Sequence, residues 1–327
     1  MCYAISTKGL TKRYGALVAA EDVTLEVANA EIFGLLGPNG SGKTTIIKML
    51  TGLTQPTAGT IRIFGQDLSK HPVRIKRRIG HVYGNMAFYP ELTAVDNLRF
   101  FGQFYGFSRR QLSERIEDML HFSDLWGERT KPVGAYSQGM KQRLGIAKAM
   151  LHDPDIIYFD EATNGIDVEG VRDIRARVLQ LRSRGKTVFI ASHLLDQIEL
   201  LCDRIALLRE GQLLCAAEVG GFKSCGDLKL FKYHVHLAQP IACPQGVRTE
   251  VCYLGDSSVV LSEVDLESHL SSVYDAAMIE RVEPTLEEAC LWLLKGERSP
   301  AGLHKALQAC ILRHRSAPSY GKMPRRL

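Results

Sequence analysis

The segment Gly37-Pro38-Asn39-Gly40-Ser41-Gly42-Lys43-Thr44 constrains this chain more than any other. It lies between the apolar run 31–37 and a stretch with helical periodicity that starts at Lys43. In that context the glycines let the backbone curl so that successive N–H groups and a helix N-terminus converge on phosphate oxygens. Lys43 is placed to bridge the β- and γ-phosphates of a nucleotide, and the Thr44 hydroxyl to ligate Mg²⁺. Gly37 to Thr45 is therefore the candidate phosphate cradle, and the fold that presents such a loop is a parallel sheet with helices packed on it.

The rest of the first two hundred residues fits that expectation. Strands are expected at 31–37, 78–84, 155–161 and 186–192, and helices starting at Lys43, Thr93, Ser137, Val168 and Leu194. Two early runs, 3–10 and 21–28, read as an antiparallel flank. The strand at 155–161 ends in Asp160 and Glu161, a carboxylate pair that complements the phosphate loop. One carboxylate can hold the metal, Asp160 here, while Glu161 orients and deprotonates an attacking water. His193 closes the next strand, at the sheet edge where open α/β sheets bind ligands, and is expected to hydrogen-bond the γ-phosphate and that water.

At this point the sequence resembles the ATP-binding subunits of ABC transporters, and the segment that separates that family from other phosphate-loop proteins is Tyr136-Ser137-Gln138-Gly139-Met140, followed by Lys141-Gln142-Arg143. The resemblance implies that Ser137, Gln138, Gly139 and Met140 form a signature that completes the site of a facing subunit. Ser137 and the Gly139 N–H at a helix start suit that task as a second anion-binding terminus. It further implies that Tyr14 stacks on adenine and that Asp167, in Asn164-Gly165-Ile166-Asp167, links the two sites across a dimer. The resemblance runs from Ile5 to Leu214. Two positions depart from it. Asn85 is the nearest amide where the family usually carries a glutamine after Ile-Gly-x-Val, and Ala162 stands where it usually has proline.

These readings together give an α/β chain of the phosphate-loop ABC cassette type: a mixed sheet core, an antiparallel β flank and a helical subdomain. The cassette spans 1–220 with the helical part at about 86–150, a small α+β domain follows at 228–296, and a basic tail at 297–327. The glycine-rich stretch 211–227 marks the boundary. Beyond it, residues 231–237 alternate, with Phe231, Tyr233, Val235 and Leu237 on one face and Lys232, His234 and His236 on a solvated one. With no third ligand evident, the two histidines read as that polar face and not as a metal pair. A last helix, 284–295, sets Leu286, Ala289, Cys290, Leu293 and Leu294 on one apolar face. This part resembles the accessory domain of the branch that powers ABC-2-type export.

Charge narrows the partners. The net formal charge is +5, yet the tail alone carries seven basic side chains against Glu297, so the body is near neutral. A neutral body lacks the basic face that a nucleic-acid binder needs, and no nucleic acid is expected. The eight cysteines include no Cys-x-x-Cys pair and read as reduced thiols. No transmembrane segment or signal peptide is evident, so the expected place is the cytoplasmic face of a membrane, reached through a permease. The insert before Ala135 is rich in aromatic and apolar residues, which the resemblance assigns to docking the permease. The expected ligands are ATP and Mg²⁺, and the expected partners a second copy of the chain and a multi-spanning permease. The rivals are an ABC ATPase acting on ribosomes or DNA, and a weakly active regulatory subunit. Two cassettes in one chain, or a long coiled-coil insertion, would mark the first rival; this sequence has neither.

Overall fold

The computed structural model describes residues 3–84, 86–219, 230–236, 241, 243–244, 246–253, 257–275 and 278–295. Asn85, Leu237 and the basic tail lie outside them. The chain divides into two units, Met1–Val219 and Gly220–Leu327.

The first unit opens with an antiparallel sheet: β1 (Ile5–Tyr14), β2 (Leu17–Val23) and β3 (Glu26–Val27), joined later by β5 (Ala58–Ile63) and β6 (Gln66–Asp67). Its order is β2-β1-β5-β6, with β3 also on β1. The expected flank is thus present, but the run 21–28 splits between the end of β2 and the short β3. Asp22, one residue before the end of β2, has a left-handed φ of 50°.

The second sheet carries the site. β4 (Ile32–Leu36), β7 (Ile79–Tyr83), β8 (Ile156–Asp160), β9 (Thr187–Ser192) and β10 (Arg204–Arg209) are parallel, and β11 (Gln212–Glu218) pairs antiparallel with β10. Their order is β11-β10-β4-β9-β8-β7. β4 and β8 are buried at every position, which is why both read as unbroken apolar runs: a parallel strand is covered on both faces. The division between the units, at Val219/Gly220, falls within the glycine-rich stretch 211–227, but the first part of that stretch is strand β11 and not linker. Gly211, at φ 83°, is the turn of a β10–β11 hairpin.

α1 (Lys43–Leu50) packs between the sheets, and its Ile46, Ile47, Met49 and Leu50 share one core with Phe33, Leu35, Tyr158 and Phe189. Phe33 and Phe189 stack at 5.4 Å between centroids. α2 (Pro72–Lys76) precedes β7, α6 (Val168–Ser183) lies between β8 and β9, and α7 (Leu195–Leu201) follows β9.

Between β7 and β8 runs the helical layer: α3 (Ala94–Gly102), α4 (Arg109–Phe122) and α5 (Gln138–Met150). Each start is capped by a residue type suited to it. Thr93 accepts from the Asp96 N–H at 3.1 Å, Ser108 and Gln111 form a capping box, and Ser137 accepts from the Met140 N–H at 3.2 Å. The helix starts expected at Thr93, Ser137 and Leu194 are therefore N-cap positions, one residue before the first helical turn.

In the second unit, β12 (Phe231–Val235), β13 (Thr249–Tyr253), β14 (Ser258–Ser262) and β15 (Ile279–Val282) form an antiparallel sheet of order β13-β14-β12-β15, with α8 (Glu267–Val273) and α9 (Leu286–Lys295). Tyr233, Val235, Val260, Leu266 and Leu270 fill its core. Two sequence expectations fail here. Lys232 is buried, not solvated, because Glu288 of α9 covers it in a 2.8 Å ion pair. The buried face of α9 also takes Glu288 and Trp292, while Leu293 and Leu294 are only half-buried. Arg248 explains the tryptophan: its guanidinium lies 4.1 Å over the ring and donates to the Trp292 carbonyl at 2.9 Å.

Among the described residues, Cys202, Cys215, Cys243, Cys252 and Cys290 form no disulfide. No helix there is long and apolar enough to cross a membrane.

Candidate nucleotide site

The C-terminal ends of β4, β7, β8 and β9 bring the predicted residues to one sheet edge. After β4 the chain turns through Gly37–Gly42 into α1, whose N-terminus is Gly42 at φ 104°. A side chain at 42 would meet the Ala19 carbonyl at 2.2 Å, so both the torsion and the space require glycine. No described side chain caps α1, and its first turn has no acidic residue. Its leading N–H groups are thus left for an external anion.

Lys43 is buried, and its Nζ donates to the carbonyls of Gly37 at 2.8 Å and Pro38 at 3.0 Å. It also pairs with Glu161 Oε1 at 3.2 Å. These bonds aim the ammonium across the loop at the acidic edge. Thr44 Oγ1 donates to Asp160 Oδ1 at 3.1 Å, and His193 Nδ1 lies 2.7 Å from Glu161 Oε2. Glu161 thus joins the lysine of the loop to the histidine after β9. Its own backbone is left-handed, at φ 52°, an uncommon state for a residue with a side chain and one that turns its carboxylate off the end of β8.

Asp160 is buried, and burial raises its pKa, with the Thr44 hydrogen bond opposing and the Glu161 charge adding. Two adjacent carboxylates with one hydroxyl fit a divalent cation, which would relieve both the burial and the repulsion. Among the described residues no group of three or more His, Cys, Asp or Glu is placed to hold a metal, so the remaining ligands would be phosphate and water.

A cleft of 540 Å³ adjoins these groups, lined by Thr44, Tyr83, Gly84, Gln138, Asp160, Glu161, Asn164 and Gly165. Of the signature residues, Gln138 therefore faces the acidic edge of its own chain. Ser137 caps α5, and Gly139 packs near Ile166 and Gly170 of the following loop and helix. Asp167 caps α6 through the Gly170 N–H at 3.1 Å. Tyr14 ends β1 and is exposed, with Lys12 Nζ 4.9 Å from its ring.

The sequence reading missed three participants. Gln142 Nε2 donates to the Gly84 carbonyl at 2.6 Å and the Tyr83 carbonyl at 3.1 Å. Thr163 donates to Gln197, tying the loop after Glu161 to α7. Gly84 donates its N–H to the Asp160 carbonyl at 2.8 Å. All three stand beside a motif, Gln142 after the signature, Thr163 after the carboxylate pair and Gly84 before Asn85, but nothing in their spacing shows these contacts, which for Gln142 reach some sixty positions away.

Comparison with known proteins agrees with the geometry. Residues 20–164 match the family model described as ABC transporter. The chain is 38% identical over 197 residues to the ABC transporter ATP-binding protein NatA of Bacillus subtilis, spanning 60% of this chain and 80% of that protein. It is 42% identical over 215 residues to the bacitracin transport ATP-binding protein BcrA of Bacillus licheniformis, covering 65% and 69%. A Nod factor export ATP-binding protein I of Paraburkholderia xenovorans matches at 32% over 295 residues, covering 85% and 95%. Among solved structures, an ATP-binding subunit of an ABC transporter superposes at TM-score 0.61 with 29% identity, covering 67% of this chain and 92% of that one. A dimeric ATP-binding cassette holding ADP and Pi after hydrolysis superposes at 0.60 with 26% identity, covering 66% and 98%.

Proposed function

The chain belongs to the ATP-binding subunits of ABC transporters, and from that premise we propose that two copies close around two Mg²⁺-ATP to drive a separate, multi-spanning export permease from the cytoplasmic face of the membrane. The subunit is an ATPase that powers membrane transport. The observation that carries the mechanism is Glu161, held between Lys43 and His193 beside the Thr44–Asp160 contact.

ATP enters with its phosphates over the N-terminus of α1. The β- and γ-oxygens compete with Glu161 for Lys43, and the stronger multiply charged partner takes the ammonium. Glu161 then keeps His193 and accepts a proton from the water that attacks the γ-phosphorus. The bond from that phosphorus to the β–γ bridging oxygen breaks, leaving ADP and phosphate. Thr44 and Asp160 would hold Mg²⁺, which when bound offsets phosphate charge. Tyr14 is exposed at the end of β1, as a residue that stacks on adenine must be. Ser137 to Met140 engage the nucleotide of the facing copy, and Asp167 sits where the copies meet. Since ATP can favour closure only through contacts with both faces, hydrolysis reopens the pair.

Export is the reading supported by the likeness to the Nod factor export protein, which extends past the cassette into the second unit. That unit then serves as an accessory domain, and the 1–220 and 228–296 division describes the working parts. The test is a tagged Glu161→Gln chain, purified with Mg²⁺-ATP from gently solubilised membranes of the source cell. The expected result is loss of Mg²⁺-ATPase activity, a stable ATP-bound dimer and co-purification of a polytopic membrane protein. Undiminished activity removes Glu161 as the base, and recovery of only ribosomal or DNA-bound partners removes the transporter assignment.

A further inference from the structure

We propose that Gln142 is a positioning residue for ATP hydrolysis: it latches the helix carrying Ser137–Met140 to the peptide unit that holds the acidic edge. The proposal rests on the reading that this signature engages the nucleotide of a facing copy.

The latch is built around Gly84, just past the end of β7. On one side the Gly84 N–H donates to the Asp160 carbonyl at 2.8 Å. On the other its carbonyl accepts from Gln142 Nε2 at 2.6 Å, and the neighbouring Tyr83 carbonyl accepts from the same nitrogen at 3.1 Å. A longer contact, 3.5 Å, reaches the Gly84 carbonyl from Gln138 Nε2. Residue 84 has no room for a side chain, because a Cβ would stand 2.6 Å from the Glu161 carbonyl. Three elements therefore meet at one peptide unit: β7, the end of β8 with Asp160 and Glu161, and the second turn of α5.

Burial gives the latch its strength. Gln142 is 1% exposed, so little water competes for its amide, and its two bonds to the half-buried Tyr83 and Gly84 carbonyls are partly shielded. Its own Oε1 has no hydrogen-bond partner among the described residues. Packing alone would be met by an apolar side chain of the same length, without leaving a buried acceptor open. The amide is held for its donor. Movement of the acidic edge as ATP takes over Lys43 then passes through Gly84 to α5, so catalytic geometry and signature presentation change together.

The experiment uses the full chain with Gln142→Glu, which keeps the shape but sets a carboxylate against the two carbonyls, and Gln142→Met, which keeps the length without the donor. Should the buried carboxylate prevent folding, the methionine variant carries the same test. The expected result is a split: kcat for Mg²⁺-ATP falls by about tenfold or more while KM and the affinity for a fluorescent ATP analogue stay within about threefold, because the phosphate loop is untouched. Added to Glu161→Gln, either change abolishes the ATP-induced dimer seen by light scattering, with the melting temperature within a few degrees of the parent. The inference is overturned if kcat is within about twofold of wild type, if kcat, KM and melting temperature fall together as for a general packing defect, or if the double variant still dimerises. If Glu161→Gln alone fails to dimerise with ATP, the reading that the signature engages a facing copy falls, and the inference with it. A dimer in the single variant that persists in the double one sinks only the role of Gln142.

Discussion

His81 lies within β7, its ring 3.7 Å from that of Tyr83, and neither ring nitrogen has a hydrogen-bond partner among the described residues. Burial, with a smaller push from Lys148, lowers its pKa to about 4. Between pH 6.5 and 4 the unfolded chain therefore binds a proton that the folded one refuses, and stability present above 6.5 is lost as the pH falls toward 4. At pH 5 the loss is on the order of 2 kcal/mol. His81→Phe keeps the stack and removes the titration, so the drop in urea midpoint between pH 7.5 and pH 5.0 should shrink; an unchanged drop would assign the acid sensitivity elsewhere. Asp160 has the opposite sign. Its raised pKa means that the folded state favours the protonated form, so its contribution is present below pH 3.8 and lost as the pH rises through the folded value. Without nucleotide or metal, Asp160→Asn is expected to raise the melting temperature at pH 7.5, with the gain fading near pH 4, while abolishing Mg²⁺-ATPase activity. A lower melting temperature at pH 7.5 would mean that Thr44 and Lys43 more than offset the burial. Lys43, Thr44 and the Asp160–Glu161 pair are legible in sequence because each sits in a local frame, a glycine loop or the end of an apolar strand. Gln142 is not, since its partners come from another element.

At the scale of elements, four of the five parallel strands, β4, β7, β8 and β9, are legible because strands covered on both faces are largely apolar. The expectations leave out the fifth, β10, although its interior is buried, and also β5, β6 and β11, where periodicity is weak: β6 and β11 are half-buried edge strands and β5 is mostly exposed. The second unit shows a different failure. Alternation set the β12 strand correctly but placed Lys232 in solvent, because no pattern in β12 records that α9 brings a carboxylate over it. Lys232 Nζ and Glu288 Oε1 are 2.8 Å apart, with Glu288 1% exposed and its other oxygen accepting from the Thr285 N–H at 2.7 Å. Removing one partner strands the other charge, so Lys232→Met should cost about 3–5 kcal/mol. Lys232→Met with Glu288→Gln removes the stranded charge and should recover most of that, since glutamine still offers an oxygen to Thr285. In a Trp126→Phe background, Trp292 fluorescence in a urea titration reads this unit alone, because the chain has only two tryptophans. Equal losses in the single and double variants would show that the pair contributes through packing and not charge.

At the scale of the whole molecule, a motor must grip its load, and the helical layer has the surface for it. Tyr89 meets Phe100 edge-on at 5.0 Å, and Phe100 meets Phe101 at 5.3 Å and Phe104 at 5.7 Å. Beneath them Lys148 Nζ lies 4.5 Å from the Phe101 ring and 5.3 Å from Phe88, and burial lowers its pKa. If these rings served only to pack the layer they would be covered, yet Phe104 is 74% exposed and Tyr89, Phe100 and Tyr105 are each more than a third exposed. A contiguous aromatic surface of this kind costs free energy in water and marks a contact site. The layer also carries the signature on α5, so a partner seated on the rings pushes on the helix that Gln142 ties to the acidic edge. Substituting Phe104→Glu puts a charge at the most exposed ring, which is not among the residues lining the nucleotide cleft. The isolated chain should then hydrolyse ATP within about twofold of wild type, since truncating a contact outside the catalytic groups leaves their transition-state stabilisation intact. Co-purification of the membrane protein, and any stimulation of ATPase activity by it, should be lost. Retained co-purification would move the grip off this face, and a parallel fall in the isolated chain's activity would mean that the rings support the fold and not the load.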